Sequence, residues 1–191
     1  DIAPADQRLY AVRDVTGTVR SLDLITYSIL AKKLAAGLQS LVLDVKTGSG
    51  AVTQDINEAR ALAKALVATA NGAGCPTSAV ITDMSQPLLP SIGNAVELAD
   101  VMRSFDSKSR PISDVVIELG VKLLEQADVF YTEKGARAEL IKCLEDGRAK
   151  AKFGQMILAQ GGPENFADRW EDYLNIAPAF EILAPIGGYI Q

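Results

Sequence analysis

The hydrophobic and polar positions of the chain follow two periods, one helical and one typical of buried strands. From Leu22 to Leu34 apolar residues recur every three or four positions, and Gly37 lies where a helix should end, so a helix is predicted here. Two short apolar runs, at residues 40–46 and 77–83, have the length and aliphatic composition of buried parallel strands. Strands that alternate with helices predict an α/β fold, with a parallel sheet flanked by helices.

The pattern also predicts helices after each strand and a further element at the end of the chain. The first of these helices should begin at Asp55, which with Glu58 resembles a capping box, and should end near Gly72. Later helical patterns cover residues 95–104, 113–126, 134–145 and 148–160. The tail at residues 180–190 has the pattern of a strand, a turn and the start of a second strand.

Composition excludes several classes of function. The chain has 191 residues, 48% of them hydrophobic, which is enough for one substantial core. With a net charge of −5 and no basic run, nucleic acid is not an expected partner. No apolar run approaches the ~18 residues that cross a bilayer, so we expect no membrane association and a cytoplasmic protein.

The residue types available also limit the chemistry. There is no histidine, and the two cysteines, Cys75 and Cys143, lie far apart in the sequence. We therefore expect reduced cysteines, no metal site, no cofactor and no histidine base within this chain.

The predicted helix from Leu22 carries a face that is both polar and apolar. Ser28 and Lys32 are one turn apart, Ile25 lies beside them, and Arg13 precedes the helix. A hydroxyl, an ammonium and a guanidinium beside apolar groups fit a flat ligand with carbonyl groups at its edge, such as a pyrimidine base. The alternative is that Lys32 is a solvated helix residue, that Ser28 has no role, and that Arg13 pairs locally with an aspartate, either Asp14 or Asp23.

Several blocks of sequence form an ordered set along the chain: Ala-Pro-Ala-Asp at residues 3–6, Tyr-Ala-Val-Arg-Asp at 10–14, Ser-Ile-Leu-Ala-Lys-Lys at 28–33, Asp-Val-Lys-Thr-Gly-Ser-Gly-Ala at 44–51, Thr-Asp-Met-Ser-Gln-Pro-Leu at 82–88 and Gly-Asn-Ala-Val-Glu at 93–97. In this order and with matching gaps, the blocks resemble those of thymidine phosphorylase and its pyrimidine nucleoside phosphorylase relatives. The resemblance covers nearly the whole chain. It implies a pentosyltransferase, in which phosphate attacks C1′ of a pyrimidine nucleoside and releases the free base and a (deoxy)ribose 1-phosphate.

The resemblance also implies roles for individual residues. Arg13, Ser28 and Lys32 match the family's base-binding arginine, serine and lysine. Pocket-wall positions match Tyr10, Val19, Ile25 and Val52, and several relatives have Phe where this chain has Val52. The apolar wall residues could equally be ordinary core residues. The co-substrate would be inorganic phosphate, with no cofactor.

A glycine-rich loop, Thr-Gly-Ser-Gly-Ala at residues 47–51, follows the first predicted strand. Its layout of strand, loop and helix is that of a phosphate cradle, but it matches no specific nucleotide-binding motif, and a plain tight turn is equally consistent. The resemblance places the loop near the substrate and favours supporting roles for Asp44 and Lys46. It also matches a cation position of some relatives to Leu88, Ser91 and Asp100, and leaves open whether a cation binds here.

The resemblance further predicts the domain organisation. Residues 1–37 would be a base-binding helical segment of a separate α domain, residues 38–171 an α/β domain without its phosphate-binding N-terminal part, and residues 172–191 the start of a C-terminal domain. Because the sequence begins at Asp1, we expect the central part of a longer, homodimeric protein, inactive by itself. Two alternatives remain: a phosphoribosyltransferase of the related anthranilate type, or a non-catalytic fragment.

Overall fold

The computed structural model describes residues 3–106, 110–129, 132–178 and 180–188. Two helices open the chain, α1 (Pro4–Val15) and α2 (Leu22–Ala35). The strand β1 (Leu41–Thr47), the helix α3 (Ile56–Gly72) and the strand β2 (Thr77–Asp83) then form one β-α-β unit. The strands pair in parallel, with Leu41 opposite Thr77 at one end and Thr47 opposite Asp83 at the other. The predicted α/β class is confirmed.

Helices make up most of the remaining described chain. They are α4 (Asn94–Asp106), α5 (Arg110–Gln126), α6 (Glu133–Glu145), α7 (Arg148–Ala159) and the short α8 (Phe166–Arg169), followed by a 3₁₀ turn at Trp170–Asp172. The predicted cap of α3 is confirmed, since the Asp55 carboxylate accepts hydrogen bonds from the backbone N–H groups of Asn57 and Glu58. Among the described residues, no helix combines the length and apolar character needed to cross a bilayer.

The largest core cluster joins the opening helices to the sheet. Leu30 of α2 packs with Leu43 and Val45 of β1 and with Leu62 and Leu66 of α3. A second cluster lies between α4, α7 and α8, and a third between α5 and α6. Ile25 and Ile29 of α2 pack against the largest cluster as well, so this side of α2 lies beside β1.

The predicted strand in the tail is wrong for the described residues 180–188, which form no strand. Phe180 and Ile182 are 87% and 86% exposed. An apolar run becomes a strand only when a neighbouring strand accepts its backbone hydrogen bonds, and none pairs with it in the described part of the chain. Residues 189 and 190 of that prediction lie outside the described residues.

Candidate active site

A cavity of about 430 Å³ lies between the opening helices, β1, the loop after β1 and the middle of α3. Six of the seven residues predicted to form the site line it: Tyr10, Arg13, Val19, Ile25, Ser28 and Val52. The tertiary fold thus brings together residues that are up to 42 positions apart in the sequence, from Tyr10 to Val52. The seventh, Lys32, is not part of the cavity lining, but its ammonium donates a hydrogen bond to Ser28, which is.

Arg13 is almost fully buried, at 2% exposure. Its guanidinium donates to the backbone carbonyls of Val19 (2.6 Å) and Leu24 (3.2 Å), and its Cζ lies 5.1 Å from the centre of the Tyr10 ring. The expected alternative, an ion pair with Asp14 or Asp23, is wrong in the described structure. The two carbonyls and the ring fix the plane of the guanidinium, which leaves donors for a ligand in the cavity.

Ser28 and Lys32 meet a carboxylate that the sequence analysis did not single out. Asp6 on α1 is only 4% exposed, and its Oδ2 accepts hydrogen bonds from the Ser28 hydroxyl (3.0 Å) and from the Lys32 ammonium. Lys32 Nζ also donates to Ser28 Oγ over 3.1 Å. Lys32 is therefore not simply a solvated helix residue, although its side chain is 48% exposed.

The charges of this cluster determine the state of the carboxyl group. The hydrogen bond from Lys32 lowers the pKa of Asp6 below its ordinary value, and the Ser28 hydroxyl and the charge of Arg13 act in the same direction against the effect of burial. At neutral pH the Asp6 carboxylate is therefore ionised, so it can accept hydrogen bonds but cannot donate them. Its Oδ1 is buried without a hydrogen-bond partner, as is Nε of Arg13.

A second polar cluster contributes to the lining from β1. Lys46 Nζ lies 2.6 Å from Asp44 Oδ2 and 2.9 Å from Thr82 Oγ1, and the Thr82 hydroxyl donates to the other oxygen of Asp44. These three side chains form a closed triangle in which each contacts both others. This arrangement supports the interpretation of Asp44 and Lys46 as supporting groups.

The glycine-rich loop forms a tight turn. The N–H groups of Gly48, Gly50 and Ala51 donate to the carbonyls of Gln54, Met84 and Gly48, respectively. Gly48 has a φ of +104°, and a Cβ on Gly50 would lie 2.5 Å from the carbonyl oxygen of Met84. The glycines thus allow a close approach to the segment after β2, and those three N–H groups are not free to hold a phosphate.

The residues of the possible cation position all lie within the described part of the chain. Asp100 accepts a hydrogen bond from Arg103 (3.1 Å), and its Oδ2 is buried without a partner. Within the described ranges, no group of three or more His, Cys, Asp or Glu side chains is arranged to hold a metal ion. Whether Leu88, Ser91 and Asp100 bind a cation stays open.

Asp6 is the site residue that the sequence analysis missed. Asp6, Tyr10 and Arg13 are spaced four and three residues apart, so they share one face of a helix. This spacing was the available signal. The apolar pattern of α1 is weak, so periodicity alone does not predict a helix over Pro4–Val15.

The chain matches a known protein family over most of its length. Residues 2–150 match the family described as "Glycosyl transferase family, a/b domain". The chain therefore belongs to this glycosyl transferase family.

Curated relatives define the resemblance more closely. The chain is 47% identical to the thymidine phosphorylase of Agrobacterium fabrum over 97% of its length, and 45% and 44% identical, over its whole length, to those of Mesorhizobium japonicum and Colwellia psychrerythraea. The expected resemblance to thymidine phosphorylases is confirmed. The chain spans 42–44% of the length of these relatives.

Proposed function

We propose that this chain forms the pyrimidine-base site of a pentosyltransferase that carries out the reversible phosphorolysis of thymidine. The observation that carries the proposal is that Arg13 and Ser28 line the same cavity as the apolar side chains of Val19, Ile25 and Val52. The relatives named thymidine phosphorylase support the same reaction. They favour it over an anthranilate-type phosphoribosyltransferase.

In this reaction a phosphate oxygen forms a bond to C1′ while the C1′–N1 bond breaks. The electron pair of the broken bond leaves with the base, whose ring nitrogen and carbonyl oxygens gain negative charge before N1 takes up a proton. Arg13 and Lys32 supply positive donors for that charge, and Ser28 supplies a hydroxyl. The two cationic donors bind the transition state more strongly than the neutral substrate, which is the requirement for catalysis.

The co-substrate is inorganic phosphate, and no cofactor takes part. Because the amides of Gly48, Gly50 and Ala51 donate within the protein, we place the phosphate site in parts of the enzyme beyond this cavity. The 191-residue chain alone is then a base-binding unit with little or no activity.

The proposal also covers the cellular compartment, the oligomeric state and the partners of the longer protein. We place the enzyme in cytoplasmic nucleoside salvage, because Cys75 and Cys143 are free thiols, as is usual in a reducing compartment. The longer protein is a homodimer. Exposed apolar side chains on α1, such as Val12 (53%) and Val15 (83%), are consistent with a covered surface there. The net charge of −5 supports the absence of a nucleic-acid partner.

The test is phosphate-dependent release of thymine from thymidine. It compares the chain alone with a chimera in which the chain replaces the matching segment of the Agrobacterium fabrum relative, and with that relative itself. We expect the chimera to release thymine only when phosphate is present, and the chain alone to release little or none. A folded chimera that binds no pyrimidine and releases no base, beside an active relative, would overturn the proposal.

A further inference from the structure

The hydrogen-bond capacity of Ser28 is almost completely used within the protein. A hydroxyl has one donor and two acceptor positions. The donor of Ser28 points to Asp6 Oδ2 at 3.0 Å, and one acceptor position receives a hydrogen from Lys32 at 3.1 Å. One acceptor position is left, on a residue that lines the cavity.

Asp6 determines the direction in which the Ser28 hydroxyl donates its hydrogen bond. An ionised carboxylate accepts hydrogen bonds and cannot donate them, so the proton of Ser28 is held toward Asp6. The carboxylate is itself 4% exposed, and rotation of the Ser28 proton into the cavity would leave a buried charge with one partner fewer. Asp6 also holds Lys32, a donor only, beside the same hydroxyl.

We propose that Asp6 is a positioning residue that determines base specificity by fixing Ser28 as a hydrogen-bond acceptor and Lys32 as a donor. This inference rests on the proposed function, and it assigns a role to a residue that contacts the base only through Ser28 and Lys32. The combination selects a ring with an N–H group between two carbonyl groups, as in a pyrimidine-2,4-dione. It disfavours a ring that presents an unprotonated nitrogen and an amino group at the same edge, as cytosine does.

The test measures the affinities of the 191-residue chain for two free bases, uracil and cytosine, at neutral pH by titration calorimetry or NMR. We expect wild type to prefer uracil. In Asp6→Leu, the Ser28 hydroxyl is free to turn and donate to the ring nitrogen of cytosine. The preference for uracil should therefore fall about 10-fold, with a gain in cytosine affinity.

Ser28→Ala separates a positioning role from a structural one. It should lower the preference by a similar factor of about 10, but through weaker uracil binding, since the acceptor is lost. In the double variant Asp6→Leu/Ser28→Ala, the gain in cytosine affinity should disappear, because Asp6 acts through Ser28. Asp23→Asn, an exposed aspartate on α2, is the matched control and should leave the preference unchanged.

Each outcome decides the matter. If folded Asp6→Leu weakens both bases by the same factor, Asp6 is merely structural and the inference is wrong. If circular dichroism shows Asp6→Leu to be unfolded, Ser28→Ala decides: a retained uracil preference overturns the inference, and a lost preference supports it. If wild type binds neither base, the proposed function fails as well, whereas normal uracil binding with an unchanged preference in the variants removes this inference alone.

Discussion

Two polar clusters contribute side chains to the same cavity, and each combines a lysine, an aspartate and a hydroxyl. On β1 and β2, Lys46, Asp44 and Thr82 contact one another in a closed triangle. Between α1 and α2 the corresponding groups are Lys32, Asp6 and Ser28. These three side chains also contact one another, but the two aspartates differ. Asp44 uses both carboxylate oxygens, whereas Asp6 uses only Oδ2 and its buried Oδ1 has no partner. Lys32 is also the more exposed lysine, at 48% against 34% for Lys46.

The difference between the clusters is the basis for expecting a structural role for one and a binding role for the other. A carboxylate whose two oxygens are both bonded within the protein gains little from a ligand, whereas buried atoms without a partner, such as Asp6 Oδ1 and Arg13 Nε, leave their cluster incompletely satisfied. We therefore expect the β1–β2 triangle to stabilise the sheet, and the cluster between α1 and α2, together with Arg13, to contact a ligand.

The largest expected effect comes from Arg13→Ala. Loss of a preorganised cationic donor should lower kcat/KM of the chimera by about 100- to 1000-fold. Because Val19 and Leu24 also lose the donor to their carbonyl groups, the free energy of unfolding should fall by about 1–3 kcal/mol. Thymidine phosphorolysis and urea unfolding measure the two effects. Activity within threefold of wild type would remove Arg13 from the mechanism.

A matched pair of lysine substitutions tests the comparison directly. Lys32→Met should lower kcat/KM of the chimera by about 100-fold and also lower the free energy of unfolding by about 1–3 kcal/mol, because the buried Asp6 carboxylate loses its cationic partner. Lys46→Met should change kcat/KM less than about threefold but lower the free energy of unfolding by about 1 kcal/mol, since Asp44 and Thr82 lose a partner. The same assays serve for both variants. A larger loss of kcat/KM in Lys46→Met than in Lys32→Met would mean that the β1–β2 triangle, not the cluster between α1 and α2, contacts the substrate.

Acid pH should remove the stabilising effect of the Asp6 charge in the cluster between α1 and α2. The folded-state pKa of Asp6 is lowered by Lys32 and Ser28, so its charge stabilises the fold above the unfolded pKa of about 3.9. This contribution is lost as the pH falls through the folded value. The stability difference between wild type and Asp6→Asn should thus be constant near neutral pH and shrink below about pH 4.

Urea unfolding of the 191-residue chain at a series of pH values measures this difference. Asp23→Asn, measured in parallel, controls for the general effect of acid on the other carboxylates. A difference that grows on acidification would contradict the assigned ion pair.

The smallest effect is expected at Val52, whose side chain lines the cavity but is 64% exposed. Val52→Phe should change stability by less than about 0.5 kcal/mol, since little of the side chain is packed. By narrowing the apolar wall it should shift the ratio of kcat/KM for thymidine and uridine by several-fold at most, on the order of 1 kcal/mol. An unchanged ratio would show that position 52 does not contact the base.

Local pattern predicted much of the fold and part of the site. The strand over Thr77–Asp83 has the predicted bounds, and α3 begins at the predicted cap, because strand composition and capping are short-range properties. The same is true of Ser28 and Lys32, which share one face of α2 through their spacing. The prediction of a strand in the tail was wrong, because the apolar residues from 180 onward have no partner strand in the described chain.

The sequence by itself determined the helix that carries Ser28 and Lys32, the two strands, and the resemblance that led to Arg13 and the wall residues. Only the tertiary structure decided what these side chains contact. Arg13 binds carbonyls of Val19 and Leu24 rather than a neighbouring aspartate, and Asp6 meets Ser28 and Lys32, which lie 22 and 26 positions away. Periodicity determines which face of a helix a residue occupies, but the packing of α1 against α2 determines what that face meets.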